Sequence, residues 1–299
     1  MVFESVLESG SFVRAANSMS LTQPAVTKAI FDLESVLGAP LFERSNRGVT
    51  PTEFGVVVGR RVKSLISELR DMTEEVNTFR TGEAGHVIVG TLIAGAAKLL
   101  PRAIVRLREK VPGVFVTVRE GTPGHLFPAL ATGDLDIVVG RIPEQELPLA
   151  HAFPLTHEVL FSESFCAVVG YKNPLVQRDG IQLRDLMNAQ WILPLPESPA
   201  HNAAQRLFRN AGLPVPAART HSLSILTNIG ILLQTEMIAL MPRAAALQFA
   251  RPGLLAILNL PNLVSFGNVG FSIRADKEVN PACKNFIECL RETTKEPYE

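Results

Sequence analysis

Surplus charge is the first thing this chain lacks. Its 29 lysines and arginines face 29 aspartates and glutamates, a formal net charge of zero over 299 residues. Electrostatics alone therefore point to no polyanionic partner. Cysteine is scarce: Cys166, Cys283 and Cys289 form no C-x-x-C pair, which argues against a zinc site and a disulfide framework. Long apolar runs are missing too. The stretch from Val87 to Leu100 is interrupted by glycines and Lys98, too broken for a membrane span. The N-terminus has no basic-then-apolar leader, so the expected location is the cytoplasm. The histidines are scattered, and no pair has metal-ligand spacing on one element. Neither a G-x-S-x-G elbow nor a glycine-rich phosphate loop occurs. No metal, no cofactor and no enzymatic chemistry are expected. A hydrophobic fraction of 46% suits a folded chain of about two domains.

What the chain does have is concentrated in its first fifty-five residues. SFVRAANSMSLTQPAVTKAIFDLE reads as two short helices joined by a turn at Met19-Ser20-Leu21. Phe12, Ala15 and Ala16 share one face of the first. Thr22 can cap the second, whose first turn tolerates Pro24. Ala25, Val26, Ala29, Ile30 and Leu33 then predict one apolar face on that second helix. Gln23, Thr27 and Lys28 occupy its other face near the N-terminal end, where a helix-turn-helix needs short polar groups to meet bases and phosphates. Next, LFERSNRGVTPTEFG predicts a wing: strand Leu41 to Arg44, tip Ser45 to Gly48, returning strand Val49 to Pro51. Arg44 and Arg47 would hold phosphate or the minor groove. Through residue 63 seven cations still face six anions, so one head alone should hold DNA poorly.

From Thr52 to about Arg80 one long helix is predicted. Val62, Leu65, Leu69, Met72, Val76 and Phe79 are spaced three and four apart, the seam of a coiled coil. Arg60, Arg61, Glu68, Arg70, Asp71, Glu74 and Glu75 fall outside it. The stripe either faces a second copy, the favoured reading, or packs on its own domain. Thr81 to Gly85 reads as a hinge. Beyond it strands alternate with helices, as in an α/β sheet. Strands are predicted at His86–Gly90, Val114–Arg119, Leu135–Gly140, Glu158–Gly170, Trp191–Leu193, Ile238–Met241 and Val269–Arg274, and an extended segment at Gly253–Leu260. Helical segments are predicted at Leu99–Lys110, Leu126–Ala131, Leu183–Met187, Ala203–Ala211, Ile225–Gln234 and Ala282–Arg291.

At QPAVTKAIFDLE and LFERSNRGVTPTEFG the chain resembles the LysR-type transcriptional regulators. GTLIAGAAKLLPRAIVRLREKVPGVFVTVREGT and LATGDLDIVVGR resemble the opening of that family's effector domain. The likeness covers nearly the whole chain and leans toward the galactose-binding-protein and protocatechuate-pathway regulators. It implies a winged helix-turn-helix at 1–51, a linker helix and hinge at 52–85, and at 86–299 an α/β two-lobe effector domain of periplasmic-binding-protein type. Lobe 1 would take about 86–160 and 264–299, and lobe 2 about 161–263. Implied partners are double-stranded DNA, a small-molecule effector, further copies of the chain (dimer or tetramer) and RNA polymerase. The rival reading is a ligand-binding or enzymatic two-lobe protein with a non-functional head.

In an open α/β sheet ligands bind beyond the carboxyl ends of the strands. Ala94, Gly95 and Ala96 are small enough to let a ligand reach the backbone at the first such turn; Ala94, Gly95, Thr122, Arg141 and Ser198 are the effector candidates, each equally readable as an ordinary turn residue. Arg141 can bind a carboxylate or several hydroxyls, or pair with Glu144 or Glu146. Two departures from the family pattern carry expectations. Family members start several residues earlier, which leaves only Phe3, Val6 and Leu7 as the first helix's apolar face. Gln234 to Ile238 stands where glycines are common, and its bulk is expected to narrow the pocket. The family's peroxide sensors use a cysteine pair in lobe 2, which here holds only Cys166, so redox sensing is not expected.

Overall fold

The computed structural model describes residues 1–45, 48–81, 85–144, 154–261 and 265–295. Three helices build the head: α1 (Val2–Ser9), α2 (Phe12–Ser18) and α3 (Gln23–Leu37). Ser11 and Thr22 accept hydrogen bonds from the backbone amides of Arg14 and Ala25, so each of the last two helices starts on a side-chain cap. Ser20 takes the left-handed backbone (φ 55°) that lets the chain reverse between them. The head core is Phe3, Val6, Phe12, Ala15, Ala16, Val26, Ile30, Leu41 and Phe42. The short first helix is thus held by packing, which offsets its marginal length. Ala25 and Ala29, expected on the apolar face, are exposed instead. An alanine methyl buries too little area to orient a helix against the pull of Val26, Ile30 and Leu33.

The wing is a two-stranded antiparallel ribbon, β1 (Phe42–Ser45) and β2 (Gly48–Pro51). The helix α4 (Glu53–Thr81) follows, capped by Thr52, whose hydroxyl accepts the amide of Gly55 at 2.9 Å. The wing-tip residues 46–47 and hinge residues 82–84 lie outside the described residues.

The remainder is β3 (His86–Thr91), α5 (Ile93–Ala96), α6 (Leu99–Lys110), β4 (Phe115–Glu120), α7 (Pro123–Thr132), β5 (Ile137–Arg141), β6 (Leu155–Gly170), β7 (Trp191–Leu193), α8 (Pro199–Asn210), β8 (Thr220–His221), α9 (Ile225–Leu232), β9 (Ile238–Pro242), α10 (Arg243–Ala250), β10 (Leu255–Ile257), β11 (Ser265–Arg274) and α11 (Pro281–Lys295). One mixed nine-stranded sheet runs β4-β3-β5-β11-β6-β9-β7-β8, with β10 also on β6. Strand β6 belongs to both lobes. Its first part, Leu155 to Ser164, pairs with β11, and Phe165 onward pairs with β9 and β10.

Each lobe is a sheet with an apolar core on both faces. In the first, α6 and α11 cover one face through Leu99, Ala103, Leu107, Phe286 and Leu290, and α7 covers the other through Leu126, Phe127 and Leu130. In the second, the clusters around Trp191 and Phe208 and around Ile229 and Leu232 play the same parts. Phe165 and Phe266 stack at 4.4 Å between ring centres where the lobes meet, with Ala200 and Ala203 in the same cluster.

Candidate nucleic-acid interface and effector cleft

Helix α3 buries Val26 and Ile30 and leaves Thr22, Gln23, Pro24 and Lys28 exposed, with Thr27 half-buried. Gln23 Nε2 donates to Thr27 Oγ1 at 3.0 Å, one turn apart, so the two form a single polar ridge. Lys28 stands exposed beside that ridge and makes no ion pair among the described residues. Its removal should weaken DNA binding uniformly across sequences: Lys28→Ala is expected to reduce the slope of log affinity against log salt by about one unit. A titration series at several salt concentrations reads this directly; an unchanged slope would place Lys28 off the phosphates. Arg44 lies in β1, and only its backbone is described. Arg47 lies outside the described residues.

Sequence reasoning missed the residue that sets the wing against this helix. Glu34, on the last turns of α3, accepts the amides of Leu41 at 2.7 Å and Phe42 at 3.3 Å through one carboxylate oxygen. Its position four residues before the glycine that ends α3 was the available signal. Glu34→Ala strands two amides near the core, which costs about 1–3 kcal/mol. Faster hydrogen exchange at Leu41 and Phe42, restored by Glu34→Gln, is the expected result.

Helix α4 presents two different faces. Leu65, Leu69, Met72 and Val76 are each more than half exposed. Val62, expected to begin that stripe, packs against the head core instead, and the side chain of Phe79 lies outside the description. On the opposite side, Ser64 and Ser67 are buried. Arg274 donates to Ser64 Oγ at 2.9 Å, and Ser67 Oγ donates to the Gly133 carbonyl at 2.9 Å. Arg70, expected on the solvent side, reaches the same carbonyl at 3.1 Å and the Asp136 carboxylate at 3.4 Å. Lys63 lies 3.4 Å from Asp134. The reason for the correction is tertiary: these acceptors lie more than sixty residues away in sequence. Gly133 has φ 84°, and a Cβ there would sit 2.4 Å from Ser67 Oγ, so only glycine fits.

The candidate effector residues sit at the carboxyl edges of parallel strands, β3, β4 and β5 in one lobe and β7, β8 and β9 in the other. Ala94 and Gly95 fall in α5. Gly95 is small for a reason other than ligand approach, because a Cβ there would stand 2.6 Å from the Val139 carbonyl of β5. Thr122 is exposed at the start of α7, with its hydroxyl 3.0 Å from His125 Nδ1. Arg141 ends β5. It pairs with Glu144 and lies 5.2 Å over the Phe266 ring, and its buried Nε finds no partner among the described residues. Glu146, the other partner considered for it, lies outside the described residues.

Ser198 caps α8 by accepting the His201 amide at 3.2 Å while donating to the Leu195 carbonyl at 2.6 Å. His201 and His221, which the sequence left as scattered, converge there: both Nδ1 atoms lie within 3.2 Å of the Pro194 carbonyl. That carbonyl can only accept, so both rings donate from Nδ1. They brace the turn that carries Ser198. Strand β5 runs parallel to β6 and β9 antiparallel to it, so the carboxyl ends that carry Arg141 and the lobe-2 turn point toward each other, whereas Gln234 to Ile238 lies at the other end of β9. Gln234 and Thr235 are exposed, bond back to the carbonyls of Gly230 and Ile231, and lie at the opposite end of β9 beside Gln190. Their bulk therefore does not narrow the turns at the carboxyl edge. Cys166 is buried, and burial pushes its thiol up to about 12, which leaves it unreactive.

A family model described as the LysR substrate binding domain matches residues 80–295, and one described as bacterial regulatory helix-turn-helix protein, lysR family, matches residues 1–56. The regulator GbpR of Azospirillum brasilense is 28% identical over 97% of this chain and 84% of its own length. PcaQ of Agrobacterium fabrum is 28% identical over 99% of this chain and 94% of its own. Among solved structures, the LysR family transcriptional regulator CbnR superposes with a TM-score of 0.68 at 18% identity, over 99% of this chain and 98% of that one.

Proposed function

The chain belongs to the LysR family of transcriptional regulators, and from that premise we propose which residues meet DNA and effector. It is a DNA-binding regulator and not an enzyme. In our reading residues 1–51 are the winged head, 52–85 the linker helix and hinge, and 86–299 the effector domain, with lobes of about 86–160 plus 264–299 and about 161–263. Thr22, Gln23, Pro24, Thr27 and Lys28 enter the major groove, and Arg44 and Arg47 hold the backbone or the minor groove beside it. The observation that carries this is the exposed Gln23–Thr27 ridge with Lys28 beside it, on a helix whose other face is the head core. Two heads act together, joined through the exposed stripe of α4. No helix among the described residues is long and apolar enough to cross a membrane, and a cytoplasmic location with RNA polymerase as a further partner fits the family.

The effector in this reading is a small polar organic molecule, a carboxylate or a sugar, held by Arg141, Thr122, Ser198 and the backbone near Ala94 and Gly95. The carrying observation is the Arg141 guanidinium at a strand end, its buried Nε unpaired among the described residues. A thermal-shift screen of aromatic acids, aliphatic acids, pentoses and hexoses tests it. A binder should raise the melting temperature by mass action, and Arg141→Ala should abolish that gain while the lobes still melt cooperatively. If Arg141→Ala gains as much as the parent, the arginine serves only Glu144 and Phe266.

A further inference from the structure

The largest exposed apolar side chain on the DNA-facing helix has no part in the head core. Phe31 on α3 is 68% exposed, although phenylalanine carries one of the largest apolar surfaces available to a side chain. It belongs neither to the head core nor to the partly buried side chains packed against that core. Its position is specific. Residues four apart on a helix lie on one face, one above the other. Gln23, Thr27 and Phe31 therefore form one row, and the first two are already tied by a hydrogen bond. At about 1.5 Å of rise per residue, Phe31 stands about 12 Å along the helix from Gln23. In a groove-bound α3, Phe31 therefore stands about two helical turns beyond Gln23 and meets a different base pair. The neighbouring exposed apolar residue on α3, Val36, lies on the other flank of the helix and is not part of this row.

We propose that Phe31 is a base-reading residue whose ring packs on the methyl group of a thymine in the major groove. The thymine methyl is the apolar feature a base pair presents there, and an aromatic ring is a suitable partner for it. Phe31 is continuous with the Gln23–Thr27 ridge, which points to DNA as its occupant over a second copy of the chain. The exposed stripe that suits a second copy lies on α4. This inference rests on the DNA-binding reading and adds to it a sequence preference: a thymine at a fixed offset from the base contacted by Gln23.

The test starts by selecting sites for the full-length chain from a random duplex pool. Each thymine of a selected site is then replaced singly by deoxyuridine, which removes the methyl and leaves base pairing intact. For the parent protein, one such replacement should weaken binding about three- to tenfold, the effect of losing one buried methyl contact. Phe31→Ala should be insensitive to that replacement, and Phe31→Leu should keep part of the sensitivity. Both variants should fold, because the ring is outside the core. Equal losses for parent and Phe31→Ala at every thymine would overturn the proposal. So would an Ala variant that selects the same sites with the same affinity, or one that light scattering shows to have lost its partner copy. A parent that enriches no sequence at all would instead remove the DNA-binding premise, and the proposal with it.

Discussion

Leu69→Asp combined with Val76→Asp is expected to convert the assembled protein into monomers without unfolding it. Both side chains stand more than half in water in the single chain, so neither change opens a cavity. Facing a second helix, each would instead bury an unpaired carboxylate, which is costly in an apolar seam. The clasp residues Ser64 and Ser67 lie on the opposite side of α4 and would be untouched. DNA affinity should fall with the loss of the second head. Each head carries almost no net positive charge, so it depends on its partner for phosphate contacts. Separating two linked binding modules lowers affinity on the order of 100-fold or more. Light scattering and a DNA titration on the same preparation read both effects. An unchanged oligomer would assign the stripe to some other contact.

Arg274→Ala is expected to be the most destabilising single change outside the apolar cores. The guanidinium is buried, donates to both oxygens of Asp276 at 3.0 Å, and reaches Ser64 Oγ at 2.9 Å on α4. Truncating it leaves the buried Ser64 hydroxyl unpaired and the partly exposed Asp276 carboxylate without its partner, which costs about 1–3 kcal/mol. It also loosens α4 from lobe 1, since Ser64 is one of the few points holding the helix there. The effect depends on pH in a defined direction. The Arg274 hydrogen bond holds the Asp276 carboxyl below its usual range. Its contribution is present above the ordinary carboxylate value and is lost as pH falls through the lowered one. The gap between parent and Arg274→Ala, measured by chemical denaturation, should therefore be full at pH 7 and shrink toward pH 3. A gap that stayed constant over that range would assign the loss to packing of the arginine stem.

The sequence revealed the elements whose periodicity was strong and the contacts that were local. Helix α3, the wing strands and the length of α4 follow from caps, turn residues and three-four spacing, and β5 from its unbroken Ile137-Val138-Val139 run. Helix α10 went unread because half of Arg243 to Ala250 is alanine, which gives little contrast between faces. The four-residue α5 is too short to show a period. What failed more deeply was the meaning of small and charged residues. Gly95 packs against β5, a constraint its sequence does not display, and Arg70 reads as solvent-facing but holds acceptors brought in by the fold. The convergence of His201 and His221 on Pro194 is likewise a product of strand order, since β8 pairs with β7 in parallel and brings residue 221 beside residue 194. Of the candidate site, the α3 residues proposed to meet DNA could be grouped from the sequence because they lie on one helix. The effector residues come from turns on separate strands, and only their positions at carboxyl edges could be read ahead of the fold.

The most direct measurement of the central claim is a mobility-shift titration on the intergenic DNA beside this protein's own coding sequence. The parent chain and a Gln23→Ala, Lys28→Ala double variant should be titrated side by side at low and moderate salt. The account predicts a shift by the parent that survives competition with random duplex, and its loss in the double variant, whose head core is unaltered. A double variant that shifts the DNA as well as the parent would contradict it, as would a parent chain that binds at no salt concentration.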